Sequence, residues 1–417
     1  MAATKPWRES SRAGRRVLVG AVAVLVVAAA VIFLRPSGGG KEPEAIEGTW
    51  TPLPSGGPVA RTDFAYVSTG TAMIIWGGAT DRPLADGAAY DVRSSTWKPV
   101  AAAPLSARRG ASAVWTGTTM IVFGGQGPAE GCPQLCALND GAAYDPATDT
   151  WVPIAPAPLA ARNWHTTVWL QDRMVIWGGS WGGAAVADGA SYDPASNTWT
   201  LLPAAPLEPR DSHRAVASAD RMLVWGGFGA TEAERAGKVP GSRAPRGKYF
   251  ADGAIYNPVD NTWTPMAPYP QTTESAARSD FSSVWTGTHM LVWGGVGRTA
   301  DCAPCYHDDG AAYELSSDSW KLMAPSPLAG RGNHRALWTG KEMVVLGGSG
   351  TTALNDGAAY NPATDTWSQL PVSPVLGQQG WELVRVGDNL IVWGGHRHDE
   401  AKTRNPHDNG VILSLRW

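Results

Sequence analysis

Beyond residue 47 the chain alternates short apolar runs with turn-forming stretches. The apolar runs share one signature, four or five hydrophobic residues closed by a diglycine, as in Met73-Ile74-Ile75-Trp76 before Gly77-Gly78. The pair recurs at Gly124-Gly125, Gly178-Gly179, Gly226-Gly227, Gly294-Gly295, Gly347-Gly348 and Gly394-Gly395, which makes seven copies. Runs this short, bounded by glycine, predict buried strands. In six copies an Asp-Gly and then a Tyr follow at variable distance, with a Trp seven residues after the Tyr, as Tyr144 and Trp151 or Tyr360 and Trp367. Between them lie Asp, Pro and Thr residues that favour turns, so the Tyr and Trp segments read as one hairpin. A tight turn such as Thr116-Gly117-Thr118 precedes each diglycine run, and each copy therefore supplies four strands.

The seventh copy stops early: Asn409-Gly410 leads to Leu413 at the Tyr position, and the sequence given ends at Trp417. The missing fourth strand is expected from the other end, where Gly48-Thr49-Trp50-Thr51-Pro52 carries the Thr-Trp signature with no three strands ahead of it. Diglycine, Tyr and Trp at these intervals resemble the kelch repeat, whose units of about 50 residues each form one propeller blade. The resemblance covers residues 48–417 and implies an all-β, seven-bladed β-propeller of four-stranded blades, its last blade closed by the N-terminal strand. On this reading most of the 21 Trp and 10 Tyr are packing residues between blades.

Ahead of the repeats stands one apolar run, residues 17–34, without a charge in 18 positions, near the lower limit for a helix crossing a bilayer. Five basic residues precede it and Glu42, Glu44 and Glu47 follow. The organisation expected is a cytoplasmic basic tail (1–16), an uncleaved signal-anchor transmembrane helix (17–34), a linker (35–47) and a propeller (48–417) outside the cytoplasm at the cell membrane. Net charge is −3 overall and +5 for residues 1–35, hence −8 for the remainder, which argues against nucleic acid as a partner.

The segment between each diglycine and its Asp-Gly varies from seven residues in the first copy to twenty-four in the fourth, and variable loops on a rigid scaffold are where function concentrates. A second register on that face reads Arg61, Arg108, Arg162, Arg210, Arg278 and Arg331, with Gln378 in the seventh copy. Three residues later stand Phe64, Ala111, His165, His213, Phe281, His334 and Trp381. Two readings are open for the arginines: a basic mouth that clamps carboxylates, or pairing of each Arg with the aspartate of its own Asp-Gly. The kelch resemblance implies the first, since arginines near this place contact acidic peptides in some kelch proteins. The six arginines, His165, His213, His334 and Trp381 are therefore the candidate ligand-binding residues.

Cys132 with Cys136 and Cys302 with Cys305 form two local pairs in variable loops, expected as disulfides in an oxidising compartment, although Cys302, Cys305 and His307 also have metal-ligand spacing. Tyr306-His307 resembles half of the copper site in relatives of galactose oxidase, but no second Tyr and His stand in register, and neither a metal nor another cofactor is expected. No nucleophile elbow or zinc-protease helix motif occurs. The expected function is a monomeric binding module for a protein segment or cell-surface glycan on the variable-loop face, carbohydrate binding included. The alternative is a carbohydrate-active enzyme, a sugar oxidase or mutarotase, whose mark would be His165, His213 and His334 converging with a carboxylate.

Overall fold

A computed structural model describes residues 45–181, 184–230, 247–374, 379–398, 404–406 and 410–415. The candidate anchor at 17–34 and Gln378 lie outside these residues. Among the described residues no helix is long and apolar enough to cross a membrane.

The chain forms seven antiparallel sheets, the blades, each with a path of four successively paired strands; in the seventh, Arg404–Pro406 also pairs with Asn389–His398. Blade 1 consists of Ala65–Ser68, Ala72–Trp76, Gly87–Asp91 and Thr96–Pro99. Inner strands of blades 2 to 7 are Ser112–Trp115, Thr166–Leu170, Arg214–Ala217, Ser282–Trp285, Arg335–Trp338 and Gln379–Val386. Each inner strand touches the next, and the seventh touches the first, so the ring is closed. In blade 7 the outer strand is Gly48–Pro52, paired with Val411–Leu415 so that Trp50 faces Leu413, the register in which Tyr144 faces Trp151. The expected N-terminal closure is present.

Period-two alternation explains why every blade needs two neighbours. In blade 2, Met120 and Val122 point into the cluster shared with blade 1, while Ile121 and Phe123 point into the cluster shared with blade 3. All four are fully buried. An isolated blade would leave both faces in water, whereas the closed ring has seven such inter-blade cores.

Two polar staples repeat between the apolar cores. Near the axis, Arg162 donates to the Gly178 carbonyl at 3.1 Å and to Asp188 within its own blade, while its backbone carbonyl accepts from Gly125 N of the preceding blade. Gly125 adopts φ 95°, and a Cβ there would lie 2.7 Å from the Arg109 carbonyl, so glycine is required twice over. At the periphery, Tyr192 Oη and Ala155 N, the latter in the segment leaving blade 2, both donate to Asn197 Oδ1 at 2.8 Å. Trp199 Nε1 then donates to the Ala155 carbonyl at 2.8 Å. Asn197 has φ 53°, a left-handed turn position that Asn tolerates. The repeated Tyr and Trp thus pack and also latch one blade to the next.

Removing only the latch hydrogen bond by Trp199→Phe is expected to cost about 1 kcal/mol, and Trp199→Ala about 3 kcal/mol. Urea unfolding checks this, and a Trp199→Phe variant as stable as the unaltered chain would show that the indole N–H contributes nothing.

Candidate functional site

The six register arginines do not form an open basic mouth. All are at most 1% exposed, and each guanidinium is spent on its own blade's aspartate: Arg61 on Asp86, Arg108 on Asp140, Arg162 on Asp188, Arg210 on Asp252, Arg278 on Asp309 and Arg331 on Asp356. Arg61 is representative, its two Nη atoms lying 2.8 and 2.9 Å from the two oxygens of Asp86. The fork geometry expected for a ligand carboxylate is filled by the protein itself.

The ring residues three positions later are also structural. A Cβ on the first glycine of the preceding blade would lie 2.8 Å from the His165 ring, and 2.6 Å at His213, Phe281 and His334. The flat ring occupies the space that a larger residue than glycine would take. His213 meets Trp177 edge-on at 5.1 Å between centroids and Phe281 meets Trp225 likewise at 5.2 Å, so histidine and phenylalanine do the same packing task. Trp381 belongs to the core between blades 6 and 7.

The three histidines face three separate interfaces and bond hydroxyls of the preceding blade: His165 to Ser112, His213 to Thr166 and His334 to Ser282, at 2.7–2.8 Å through Nε2. Each Nδ1 is buried with no hydrogen-bond partner among the described residues. A bare buried lone pair costs less than an unpaired buried N–H, which puts the proton on Nε2 and makes each imidazole the donor. Burial, then the adjacent register arginine, pushes the pKa of His165 down to about 3 and those of His213 and His334 well below the ordinary value. They form neither a base nor a metal set, and they meet no common carboxylate.

What does converge lies one residue further on. The position after each ring residue opens the channel, reading Ala65, Ser112, Thr166, Arg214, Ser282, Arg335 and Glu382 from blade 1 to blade 7. A cavity of about 500 Å³ is lined by inner-strand residues of all seven blades, among them Tyr66, Ser112, Thr167, Arg214, Ser283, Arg335 and Glu382. Only a space on the ring axis can touch every blade.

Of the charged residues on its lining, Asp63, Arg214, Arg335 and Glu382, the last three are unevenly shared. Arg335 and Glu382 make a bidentate pair at 2.8 and 2.9 Å. Burial opposes the charge of Arg335, but the Glu382 carboxylate outweighs it and raises the pKa of the guanidinium. Tyr66 lies near the same carboxylate, and burial followed by that charge pushes its hydroxyl pKa up. Arg214 has no such partner: its Nε donates to the Phe281 carbonyl at 2.8 Å, and among the described residues its two Nη atoms have no hydrogen bond. Burial and then the nearby Arg335 charge lower its pKa, partly offset by Asp280 and Glu382. Sequence reasoning stopped one position short of this register. Its signal was visible as charge at Arg214, Arg335 and Glu382, where blades 1, 2, 3 and 5 carry small neutral residues.

At the rim, Asp63, Gly110, Trp164, Ser212, Asp280 and Asn333 occupy one repeated left-handed position, with φ between 52° and 63°. Trp164 is the one large side chain in that series, 47% exposed beside the cavity.

The variable loops of blades 2 to 5 extend beyond the diglycines as short hairpins. Cys132 and Cys136 form a disulfide in the first of them. Cys302 and Cys305 are free thiols, contrary to expectation. Their sulfurs turn onto backbone carbonyls, Cys302 toward Pro304 at 3.2 Å and Cys305 toward Cys302 at 2.8 Å. Among the described residues no group of three His, Cys, Asp or Glu side chains is placed to hold a metal.

The KLHDC2/KLHL20/DRC7 Kelch-repeats domain model matches residues 45–227 and 164–395. A solved structure titled "Structure of YjhT" superposes with a TM-score of 0.55 at 15% identity, covering 76% of this chain and 99% of that one, a likeness of fold. No curated protein matches the chain.

Two outcomes follow from the buried groups. An unfolded imidazole titrates near pH 6.5, so below that pH the unfolded state takes up a proton that the folded state refuses. Stability is full above about pH 6.5 and falls by about 1.4 kcal/mol per pH unit for each buried histidine as pH drops toward its folded pKa. His165→Gln is expected to flatten the stability profile between pH 6.5 and 5 by one proton in urea unfolding, and an unchanged slope would place that proton elsewhere. Titration of the denatured chain with a thiol reagent is expected to count two thiols per chain, from Cys302 and Cys305. A count of zero would restore the second disulfide.

Proposed function

Because the chain belongs to the kelch-repeat family, we propose that it is a membrane-anchored interaction module outside the cytoplasm whose channel mouth takes a carboxylate-bearing segment of a partner protein. Arg214 carries this reading: a guanidinium whose two Nη atoms have no hydrogen bond among the described residues, on the wall of an axial cavity large enough for one or two side chains. The six paired arginines support it indirectly, because among the described residues lining the cavity they and the Arg335–Glu382 pair leave Arg214 as the guanidinium with no bonded carboxylate. Its neighbour Arg335 is held in a bidentate pair by Glu382, which leaves that carboxylate occupied and Arg214 unpaired. A ligand carboxylate gains charge-assisted hydrogen bonds in a site partly shielded from water, where such bonds are strongest.

The location rests on residues 17–34 and on the excess of basic residues before that run. A disulfide between Cys132 and Cys136 fits an oxidising compartment. The enzyme alternative has no comparable support, since the histidines that would have marked it are separated and buried.

Isothermal titration of the full-length chain with the blocked dipeptide amides of glutamate and glutamine tests the reading. The glutamate peptide is expected to bind at least about tenfold more tightly, and Arg214→Gln to remove that preference while leaving the unfolding midpoint nearly unchanged. Equal binding of the two peptides, or a preference that survives Arg214→Gln, would overturn it.

A further inference from the structure

Two opposite charges on the axial cavity are left unmatched by the protein. Of the four charged residues on its lining, Arg335 and Glu382 bond each other, which leaves Arg214 in blade 4 and Asp63 at the start of blade 1. In a closed ring of seven blades these two stand on opposed walls. Asp63 is half-buried, and among the described residues its carboxylate makes no ion pair and accepts only from the Thr62 hydroxyl, at 3.3 Å. Arg335 is within electrostatic range of it, but that guanidinium is already bonded to Glu382. The backbone of Asp63 is held in place: φ is 55°, and its carbonyl accepts from Gly110 N of the next blade at 2.7 Å. Its carboxylate is thus presented at the rim, two residues before Ala65, the blade 1 residue level with Arg214; two residues span at most about 7 Å. Asp280 holds the same rim position in blade 5, where it adds negative charge near Arg214.

Resting on the reading of Arg214 above, we infer that Asp63 is a second specificity-determining residue of that site, and that the bound segment carries a basic residue directly beside its acidic one. A purely acidic segment gains at Arg214 but brings its negative charge past Asp63 and Asp280, and like charges repel most where water is partly excluded. A segment of mixed charge meets both walls. Its carboxylate reaches Arg214 while its ammonium or guanidinium stays at the mouth, on Asp63. Adjacent residues of an extended peptide point to opposite sides, which is the arrangement that charges on opposed walls require. Because the rim backbone is fixed by its hydrogen bond to the next blade, little ordering of the protein is needed when the cation arrives.

The probes are acetylated, amidated hexapeptides of Gly and Ser that carry Lys-Glu, Glu-Lys, Ser-Glu or Lys-Gln at the centre, and an isomer with Lys and Glu at opposite ends, roughly 17 Å apart when extended. They are titrated calorimetrically into the full-length chain at low ionic strength. The tighter of the two central Lys and Glu orders is expected to bind at least about tenfold more tightly than Ser-Glu and than the isomer. Asp63→Asn is expected to remove that advantage while the preference for Glu over Gln persists. The substitution suits the left-handed backbone, since Asn333 stands at the same position in blade 6 with φ 55°. The isomer matters because residues 36–417 carry a net charge of −8 and attract any cation. If the isomer binds as tightly as the central pair, if Lys-Glu and Glu-Lys bind no better than Ser-Glu, or if Asp63→Asn leaves the advantage intact, the role of Asp63 is overturned and the Arg214 reading stands. If Lys-Glu does not outbind Lys-Gln, the Arg214 reading fails and this inference with it.

Discussion

Everything in the ring depends on a node where an arginine, an aspartate and two glycines meet. The arginine side chain locks the end of a variable loop to its own blade, and its backbone carbonyl receives the diglycine of the blade before. Neither half works alone: without glycine the backbones cannot approach, and without the buried guanidinium the carbonyl of the first glycine of its own blade loses its donor. Repeated around the axis, the node fixes where each inner strand begins and therefore which side chain reaches the channel. A charge that looks like a ligand-binding device in sequence is a positioning device in three dimensions.

That difference explains what could be read from the residues and what could not. Strand count, blade number and the role of Trp50 in the last blade were legible because each rests on a periodic signal with one geometrical solution: period-two burial, a seven-residue Tyr-to-Trp spacing, and an unpaired strand at each end. The disulfide at Cys132 and Cys136 was legible from spacing, whereas the orientation of the Cys302 and Cys305 sulfurs depends on a loop path that spacing does not encode. Placement of the candidate site failed by one residue. In a strand, adjacent positions face opposite ways, so the step from His213 to Arg214 is the step from an interface between blades to the lumen. Sequence supplies the alternation but not which of its two phases faces the lumen, and His334 and Arg335 differ in that phase.

The lumen that results is polar and asymmetric. Blades 4, 6 and 7 supply Arg214, Arg335 and Glu382, while blades 1 and 3 supply Tyr66 and Trp164 on the other arc of the ring. A repeated scaffold made from nearly interchangeable blades thereby acquires directionality through a few departures from its own pattern. The departures are affordable because the nodes and latches that hold the ring lie elsewhere, in the loops and at the outer strands.

The closing strand sets the order in which the molecule can be completed. Trp50 lies in the first strand of the propeller to be synthesised, yet it donates to the Pro371 carbonyl, 321 residues downstream, and pairs with the last described strand. Six blades have all their strands in sequence and can assemble as they emerge. The seventh has to wait for a segment that has been left unpaired throughout translation, and closing so long a loop is entropically costly until its neighbours are already ordered. The earliest strand made is the last one placed, and until then the nascent ring presents two open edges for which the cell must provide time or protection.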